Sequence, residues 1–298
     1  MNAALYYFPD EADAAKRLGT VLGMACFEVD RRQFPDGESL IRIAEPASIA
    51  FVYRSLFQPN DKLVELLLVA SALRDMGAER VILVAPYLAY MRQDVAFLPG
   101  QAVSQRVITR LIADHFEGLV TVDPHLHRTP RLEAIAPQLQ VAYVSAAGTL
   151  ADMLRPELAP GTIMVGPDGE SRPWVESVAK PLGCEVLVGE KVRFGDREVE
   201  LTLPGIEQVA GRPVILVDDM ISTGGTLLKC AALLQAAGAT RIEAVTAHCL
   251  ASTDDLAHLA AGGIQRVRAT DTVAGVTVAA WIAPALAAAI RGKWGQDI

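Results

Sequence analysis

Two kinds of apolar run alternate along the chain. The first kind is short and unbroken: Ala50 to Tyr53, Val81-Ile-Leu-Val-Ala85, Leu119-Val-Thr-Val-Asp123, Thr162-Ile-Met-Val-Gly166 and Val214-Ile-Leu-Val217. Such blocks suit strands buried on both faces of a parallel sheet. The second kind has three- and four-residue spacing. Leu63, Leu66, Leu67, Ala70 and Leu73 form one apolar face, which predicts a helix begun by Asn60-Asp61 and ended at Gly77. Further helices are expected over Glu11 to Leu18, from Ser104 to near Phe116, and from Trp174 to about Lys180. Further strands are expected at 5–8, 24–29, 39–43 and Glu185 to Val188. Glu190 to Leu203 alternates around Gly195-Asp196 and predicts a projecting β-hairpin. Lys191 and Arg193, two apart, fall on one face of its first arm.

The pattern also repeats. Met76-Gly-Ala-Glu-Arg-Val81 recurs as Ala237-Gly-Ala-Thr-Arg-Ile242, and Val122-Asp123 is echoed by Thr270-Asp271. Two similar α/β halves, 1–140 and 141–298, are the simplest account, each a mainly parallel sheet flanked by helices.

Composition narrows the function classes. A chain of 298 residues, 51% hydrophobic with mean hydropathy +0.28, is globular and long enough for two domains. Its formal charge of −8 argues against nucleic acid or a membrane surface as partner, since phosphate backbones demand basic patches. Any phosphate site must be local. Cys26, Cys184, Cys230 and Cys249 have neither pairing nor metal-ligand spacing, as expected of thiols in a reducing cytoplasm. Asp10, Glu11 and Asp13 precede any long apolar run, so no secretory signal is expected. Thr272 to Ile290 is uncharged and long enough to raise a membrane span. Gly275 and Pro284 interrupt it, and a strand over Val276 to Ala280 followed by a helix from Pro284 to Ile290 explains it better.

The chemistry gathers at Val214-Ile-Leu-Val-Asp-Asp-Met-Ile-Ser-Thr-Gly-Gly-Thr226. Gly224 and Gly225 let backbone approach a ligand closely. Successive amides and the positive end of the following helix make an anion site, to which Ser222, Thr223 and Thr226 add hydroxyls. Asp218 and Asp219 would repel a phosphate, so their expected work is to accept hydrogen bonds from vicinal hydroxyls or to hold a divalent cation. Together these features describe a sugar phosphate site.

Elsewhere the Pro-Asp-Gly turn presents Phe34, Asp36 and Glu38, an aromatic face beside acceptors that suits a purine. Arg92 and Gln93 leave a strand end within reach of a nucleotide. His125 and His127 have a spacing compatible with metal or with none. Lys191 and Arg193 are either a solvated face or a clamp over phosphate.

The Asp218 to Thr226 run resembles the phosphoribosyl-pyrophosphate loop of type I phosphoribosyltransferases and of ribose-phosphate pyrophosphokinase. Other stretches favour the second family in one consistent order. Phe34-Pro-Asp-Gly-Glu38 resembles its adenine-contacting loop, and Pro86-Tyr-Leu-Ala-Tyr-Met-Arg-Gln-Asp94 its nucleotide motif. Val122-Asp-Pro-His125 resembles its metal-histidine segment and Gly166-Pro-Asp168 its metal-aspartate segment. Glu190-Lys-Val-Arg193 is similar to its catalytic arm, and Ala269-Thr-Asp-Thr272 to a segment near its C-terminus.

The resemblance implies two phosphoribosyltransferase-like domains, nucleotide-binding over 1–140 and ribose-5-phosphate-binding over 141–298. It implies transfer of pyrophosphate from ATP to ribose 5-phosphate, giving phosphoribosyl pyrophosphate and AMP. Lys191 and Arg193 would be catalytic; Phe34, Asp36, Glu38, Arg92, Gln93 and Asp94 would seat the nucleotide. Asp218, Asp219, Ser222, Thr223, Gly224, Gly225 and Thr226 would hold ribose 5-phosphate, and His125 and Asp168 would hold Mg²⁺. A homo-oligomer sharing the nucleotide site between subunits is also implied. The sequence departs from the family pattern at Gly169-Glu-Ser-Arg172, after Asp94, at Val192 within the arm and at the C-terminus, which marks a divergent branch. The alternatives are a type I phosphoribosyltransferase and a non-catalytic regulatory relative.

Overall fold

The computed structural model describes residues 2–126, 128–194 and 198–296, with backbone alone for 191–194 and 198–200. The chain divides into two units, Met1–Ser145 with Ile282–Ile298, and Ala146–Trp281. In the first unit the strands are β1 (Ala3–Tyr7), β2 (Ala25–Glu28), β3 (Asp30–Gln33), β4 (Ser39–Arg42), β5 (Ile49–Tyr53), β6 (Arg80–Val84), β7 (Gly118–Val122) and β8 (Gln140–Val144). Helices α1 (Ala12–Leu22), α2 (Pro59–Asp75) and α3 (Ser104–His115) lie between them. The sheet order is β2-β1-β5-β6-β7-β8, every pairing parallel. Every residue of β5 and β7 is buried, as unbroken apolar blocks require.

The second unit carries α4 (Ala147–Leu154), β9 (Ile163–Gly166), α5 (Arg172–Ala179), β10 (Glu185–Val188), β11 (Glu190–Phe194) and β12 (Glu198–Thr202). These are followed by β13 (Pro213–Ile221), α6 (Gly225–Ala236), β14 (Arg241–Cys249), α7 (Thr253–Ala261), β15 (Arg266–Thr270) and β16 (Val278–Ala280). Its sheet order, β10-β9-β13-β14-β15-β16, is again parallel throughout. Counted by strand within each sheet, both orders read second, first, third, fourth, fifth, sixth. Each unit also inserts an antiparallel hairpin, β3–β4 or β11–β12, between its second and third sheet strands. Both sequence echoes sit at equivalent places: one enters the fourth strand (β6, β14), the other leaves the fifth (β7, β15). The core of the second unit forms where Ile163, Val165, Val214 and Leu216 of the sheet meet Leu227, Cys230 and Leu234 of α6 and Leu259 of α7.

Two expectations are corrected. A boundary after residue 140 would cut β8, which pairs with β7 from Gly118↔Gln140 to Val122↔Val144; the division falls after Ser145 instead. The C-terminal segment, expected in the second half, forms α8 (Ala283–Trp294) and belongs to the first unit. There α8 packs on α1, β7 and β8. Trp294 is buried, edge-on to Phe51 with centroids 6.1 Å apart. Gly118 leaves room for it, since a Cβ there would lie 2.6 Å from the Trp294 ring.

The start of α2 also differs from expectation. Its N-cap is Gln58, at φ +52°, with Pro59 in the first turn; proline's fixed φ suits that position. Asn60 instead accepts a hydrogen bond from the Tyr90 hydroxyl. Among the described residues no helix is long and apolar enough to cross a membrane.

Candidate functional site

In the second unit the chain passes from β9 outward to β10, then returns to place β13 on the other side of β9. The crevice at the carboxyl ends of β9 and β13 is therefore a topological switch point, where open α/β sheets bind ligands. Gly166-Pro-Asp168 leaves β9 there. Asp168 caps a single 3-10 turn: its Oδ1 accepts from the N–H groups of Glu170 (3.1 Å) and Ser171 (3.3 Å). Gly166 makes this turn possible, because a Cβ would lie 2.4 Å from Ser171 Oγ.

The two acids of β13 lie inside the strand and not beyond it. β13 runs on to Ile221, paired with β14 through Met220↔His248 and Ile221↔Cys249. As successive strand residues, Asp218 and Asp219 face opposite sides of the sheet. Asp219 is buried and Asp218 half-buried; the Asp219 N–H donates to Asp218 Oδ1 at 3.0 Å. Burial, reinforced by the charges of Asp219 and Asp168, pushes the Asp218 carboxyl up to about 8. Asp219 and Asp168 thus lie close enough for their charges to act on Asp218.

Ser222 to Gly224 then connect to α6, whose first turn no side chain caps. Its N–H groups are left for an anion. Gly224 sits at φ +75°, and a Cβ there would meet Leu259 at 2.5 Å. Gly225 has an ordinary φ, and a Cβ there would meet no protein atom within 4 Å. Thr223, Gly225 and Thr226 are exposed and Ser222 is half-buried.

Beside this crevice lies a hydrogen-bond network that the sequence did not disclose. Buried His248 contacts Thr272 Oγ1 through Nδ1 at 2.9 Å, and Thr270 and Thr272 donate to the Ala247 carbonyl. Only the alignment of β14 beside β15 brings these residues together.

The hairpin β11–β12 forms where expected, in register from Glu190↔Thr202 to Phe194↔Glu198. The side chains of Lys191 and Arg193 lie outside the described residues, as do the expected turn residues Gly195 and Asp196. Its base is fastened to the Asp168 segment: Gly189 N–H donates to Gly166 O at 2.8 Å. A Cβ on Gly189 would lie 2.4 Å from the Pro167 carbonyl oxygen.

In the first unit the corresponding hairpin presents the turn Phe34 to Glu38. Phe34, Asp36 and Glu38 are all exposed, and the Arg32 guanidinium stands 5.8 Å from the Phe34 ring. Asp36 Oδ1 accepts from Glu38 N–H at 3.2 Å. Among the described residues, the non-glycine residues with positive φ, Gln58, Tyr90 and Asp123, lie in the loops leaving β5, β6 and β7 at their carboxyl ends. Such strained backbone concentrates at functional ends of sheets. Arg92 is exposed, and Gln93 and His125 are half-buried; His127 lies outside the described residues. Asp94 accepts from Arg128 through both oxygens, at 2.8 and 3.1 Å. Burial alone would raise its pKa; the Arg128 hydrogen bonds and charge outweigh that and hold the carboxyl below its ordinary value.

The loop after β5 occupies the place that Asp218 to Thr226 holds in the second unit, but its content is different. Arg54, buried, pairs with Asp10 (2.7 Å) and Glu65 (2.6 Å) and stacks 4.0 Å from the Phe8 ring centroid. Side chains fill the switch point of this unit.

His125 belongs to the first unit and Asp168 to the second. Among the described residues no cluster of three or more His, Cys, Asp or Glu forms a metal cage.

Comparison with known proteins follows the same division. Residues 5–115 match the N-terminal domain of ribose phosphate pyrophosphokinase, and residues 159–268 match the phosphoribosyl transferase domain. The ribose-phosphate pyrophosphokinase of Methanopyrus kandleri is 35% identical over 94% of this chain and 96% of its own. That of Thermococcus kodakarensis is 37% identical over 85% and 86%, respectively. The crystal structure of phosphoribosylpyrophosphate synthetase from Mycobacterium smegmatis superposes with a TM-score of 0.85 at 26% identity, covering 99% of this chain and 100% of that one. With both halves matched in order and nearly the full length aligned, the chain belongs to the ribose-phosphate pyrophosphokinase family.

Proposed function

We propose that this protein transfers the pyrophosphoryl group of ATP to ribose 5-phosphate. The observation that carries the reading is the crevice of the second unit, where carboxylates for sugar hydroxyls stand beside an uncapped helix start for phosphate. The C1 hydroxyl oxygen attacks the β-phosphorus of ATP and gives its proton to solvent, the bond from that phosphorus to the α,β-bridging oxygen breaks, and AMP leaves with the bridging oxygen. Asp218 and Asp219 accept hydrogen bonds from the ribose hydroxyls. Ser222, Thr223, Gly224, Gly225 and Thr226 hold the 5-phosphate. Phe34, Asp36, Glu38, Arg92 and Gln93 seat the nucleotide, within a homo-oligomer that shares this site between subunits. Lys191 and Arg193 neutralise charge developing on the transferred group. Positioning and electrostatics supply most of the rate in such transfers.

The donor set fits Mg²⁺. Asp168 and Asp219 both raise the Asp218 pKa, a negative excess that a divalent cation relieves. Carboxylate oxygens with few protein ligands also suit magnesium, which keeps waters and phosphate oxygens in its shell. Asp168 in the second unit and His125 in the first are each proposed as a magnesium ligand. When bound, Mg²⁺ polarises the phosphoryl oxygens.

The test is AMP release from ATP and Mg²⁺, with and without ribose 5-phosphate. Ribose-dependent AMP without ADP is expected. No AMP with nucleotide binding retained would move the assignment to a regulatory relative; base-dependent consumption of phosphoribosyl pyrophosphate would make it a transferase. Lys191→Ala is expected to lower kcat by about 100- to 1,000-fold, the scale of losing one donor to transition-state charge. Unchanged turnover would remove Lys191 from the catalytic role.

A further inference from the structure

Two functional loops of the first unit leave neighbouring strands. The loop after β6 carries Arg92 and Gln93, the loop after β7 carries His125, and β6 and β7 pair directly through Ile82↔Gly118 to Val84↔Val120. Adjacent strands fix where the loops begin but not where their far portions lie. Three contacts fix the rest.

The first is Asp94, whose side chain is 2% exposed. One of its oxygens takes Arg128 Nη1 at 2.8 Å and the other takes the Arg128 backbone N–H at 3.1 Å. Backbone and side chain of one residue therefore end on one carboxylate, both as charge-assisted bonds. The second is Gln105, buried in the first turn of α3. Its N–H donates to Gln93 O at 3.2 Å, its Nε2 to Met91 O at 3.4 Å, and its Oε1 accepts from Thr129 Oγ1 at 2.7 Å. The third holds the far end of the histidine loop. Tyr143 of β8 accepts from Leu132 N–H and donates to Glu133 Oε2, both at 2.7 Å.

We infer that Asp94 is a positioning residue, which fastens the loop bearing His125 to the loop bearing Arg92 and Gln93, and is not itself a nucleotide contact. This rests on the proposed function for the roles of those three side chains. An enclosed carboxylate with both oxygens engaged has no face for a triphosphate, and its charge would oppose one. The side chains of Arg92 and Gln93, immediately before it, take no part in this Asp94–Arg128 clamp. Gln105 and Thr129 repeat the tie one residue further along the histidine loop, so the two loops move as one body. The consequence is that the nucleotide-seating groups and His125 keep a fixed spacing. Displacement of reacting groups by about 1 Å is enough to cost on the order of 100-fold in rate.

The experiment uses the full chain with Asp94→Asn, Asp94→Ala, Arg128→Lys and the double variant Asp94→Ala/Arg128→Ala. Amide hydrogen exchange over 123–131 is measured without ligand. Steady-state AMP release is measured as a function of ATP, ribose 5-phosphate and Mg²⁺. Both Asp94 variants are expected to speed exchange across 123–131 and to lower kcat by about 10- to 100-fold, the range found when groups supporting metal ligands are removed. The Mg²⁺ concentration for half-maximal rate should rise, while KM for ribose 5-phosphate stays within about twofold. Arg128→Lys should recover part of the rate, since its backbone tie and charge remain. The double variant should be no worse than Asp94→Ala alone, the mark of two groups acting through one contact. If Asp94→Ala does not fold, Asp94→Asn and Arg128→Lys carry the comparison. Unchanged exchange over 123–131 overturns the inference. So does a rise in KM for ATP alone with kcat and Mg²⁺ requirement intact, which would make Asp94 a direct nucleotide contact. A wild-type protein that releases no AMP refutes the proposed function, while the exchange measurement still decides the tie.

Discussion

Asp218 shows what placement does to one side chain. Its carboxyl is pushed from an ordinary 3.8 up to about 8 by burial and by the charges of Asp219 and Asp168. The folded chain therefore keeps a proton that the unfolded chain releases. Protein stability should fall as pH rises between about 4 and 8, and this contribution should be flat outside that window. Asp218→Asn removes the titrating group, so the thermal midpoint should lose that slope between pH 4.5 and 8.5 while activity is lost at every pH. A wild-type slope that survives the substitution would place its origin elsewhere. At this scale the sequence showed which residues stand together better than which way they face. Asp218 and Asp219 were legible as an acid pair, yet their division between two sheet faces follows from β13 continuing past them. Asp94 reads within a nucleotide motif, while its carboxylate is wholly engaged by Arg128, a partner 34 residues away that no local pattern indicates.

The strand–loop–helix from β13 to α6 distinguishes two glycines that look alike in sequence. Gly224 needs its φ of +75° and has Leu259 where a Cβ would go. Gly224→Ala should cost about 1–3 kcal/mol, the usual scale for such backbone strain, and raise KM for ribose 5-phosphate. Gly225 has an ordinary φ and no protein neighbour at its Cβ position. Gly225→Ala should leave stability unchanged or raised by up to about 1 kcal/mol, since alanine outranks glycine in a helix. It should nonetheless raise KM, because the methyl group intrudes where the phosphate approaches. Urea unfolding and KM on the same two variants separate these effects; equal stability losses would show that both glycines serve the fold. The existence of these elements was legible because unbroken aliphatic blocks and 3.6-residue spacing reflect burial directly. Their ends were not. β13 extends to Ile221 because β14 is there to pair with it, and α2 starts at Pro59, with Asn60 inside its first turn and engaged by Tyr90 from another loop.

For the whole molecule, the duplication is plain in topology and nearly erased in chemistry. Both units share one strand order and one hairpin insertion, and both short echoes fall at equivalent junctions. The switch point of one unit holds the Asp218 to Thr226 loop, while that of the other is filled by Arg54 and its acidic partners. One pentose phosphate site per chain is the reading this asymmetry favours. The return of α8 to the first unit carries the remaining prediction. Trp294→Ala should destabilise that unit by about 3–5 kcal/mol, as loss of a buried aromatic does; chemical unfolding followed by hydrogen exchange in β7 and α1 would register it. A loss below about 1 kcal/mol would mean that the helix is not integral to that core. The sequence by itself determined the α/β class, the two-fold repeat, the hairpin and the loop suited to a sugar phosphate. Each is written in short-range periodicity, or in glycines and acids within one run of residues. Only the tertiary structure decided that the C-terminal helix joins the first unit, that Arg128 encloses Asp94, and that Asp168 comes close enough to act on Asp218. Those facts depend on partners separated by tens to hundreds of residues, whose meeting is set by sheet order and packing and leaves no mark in local sequence.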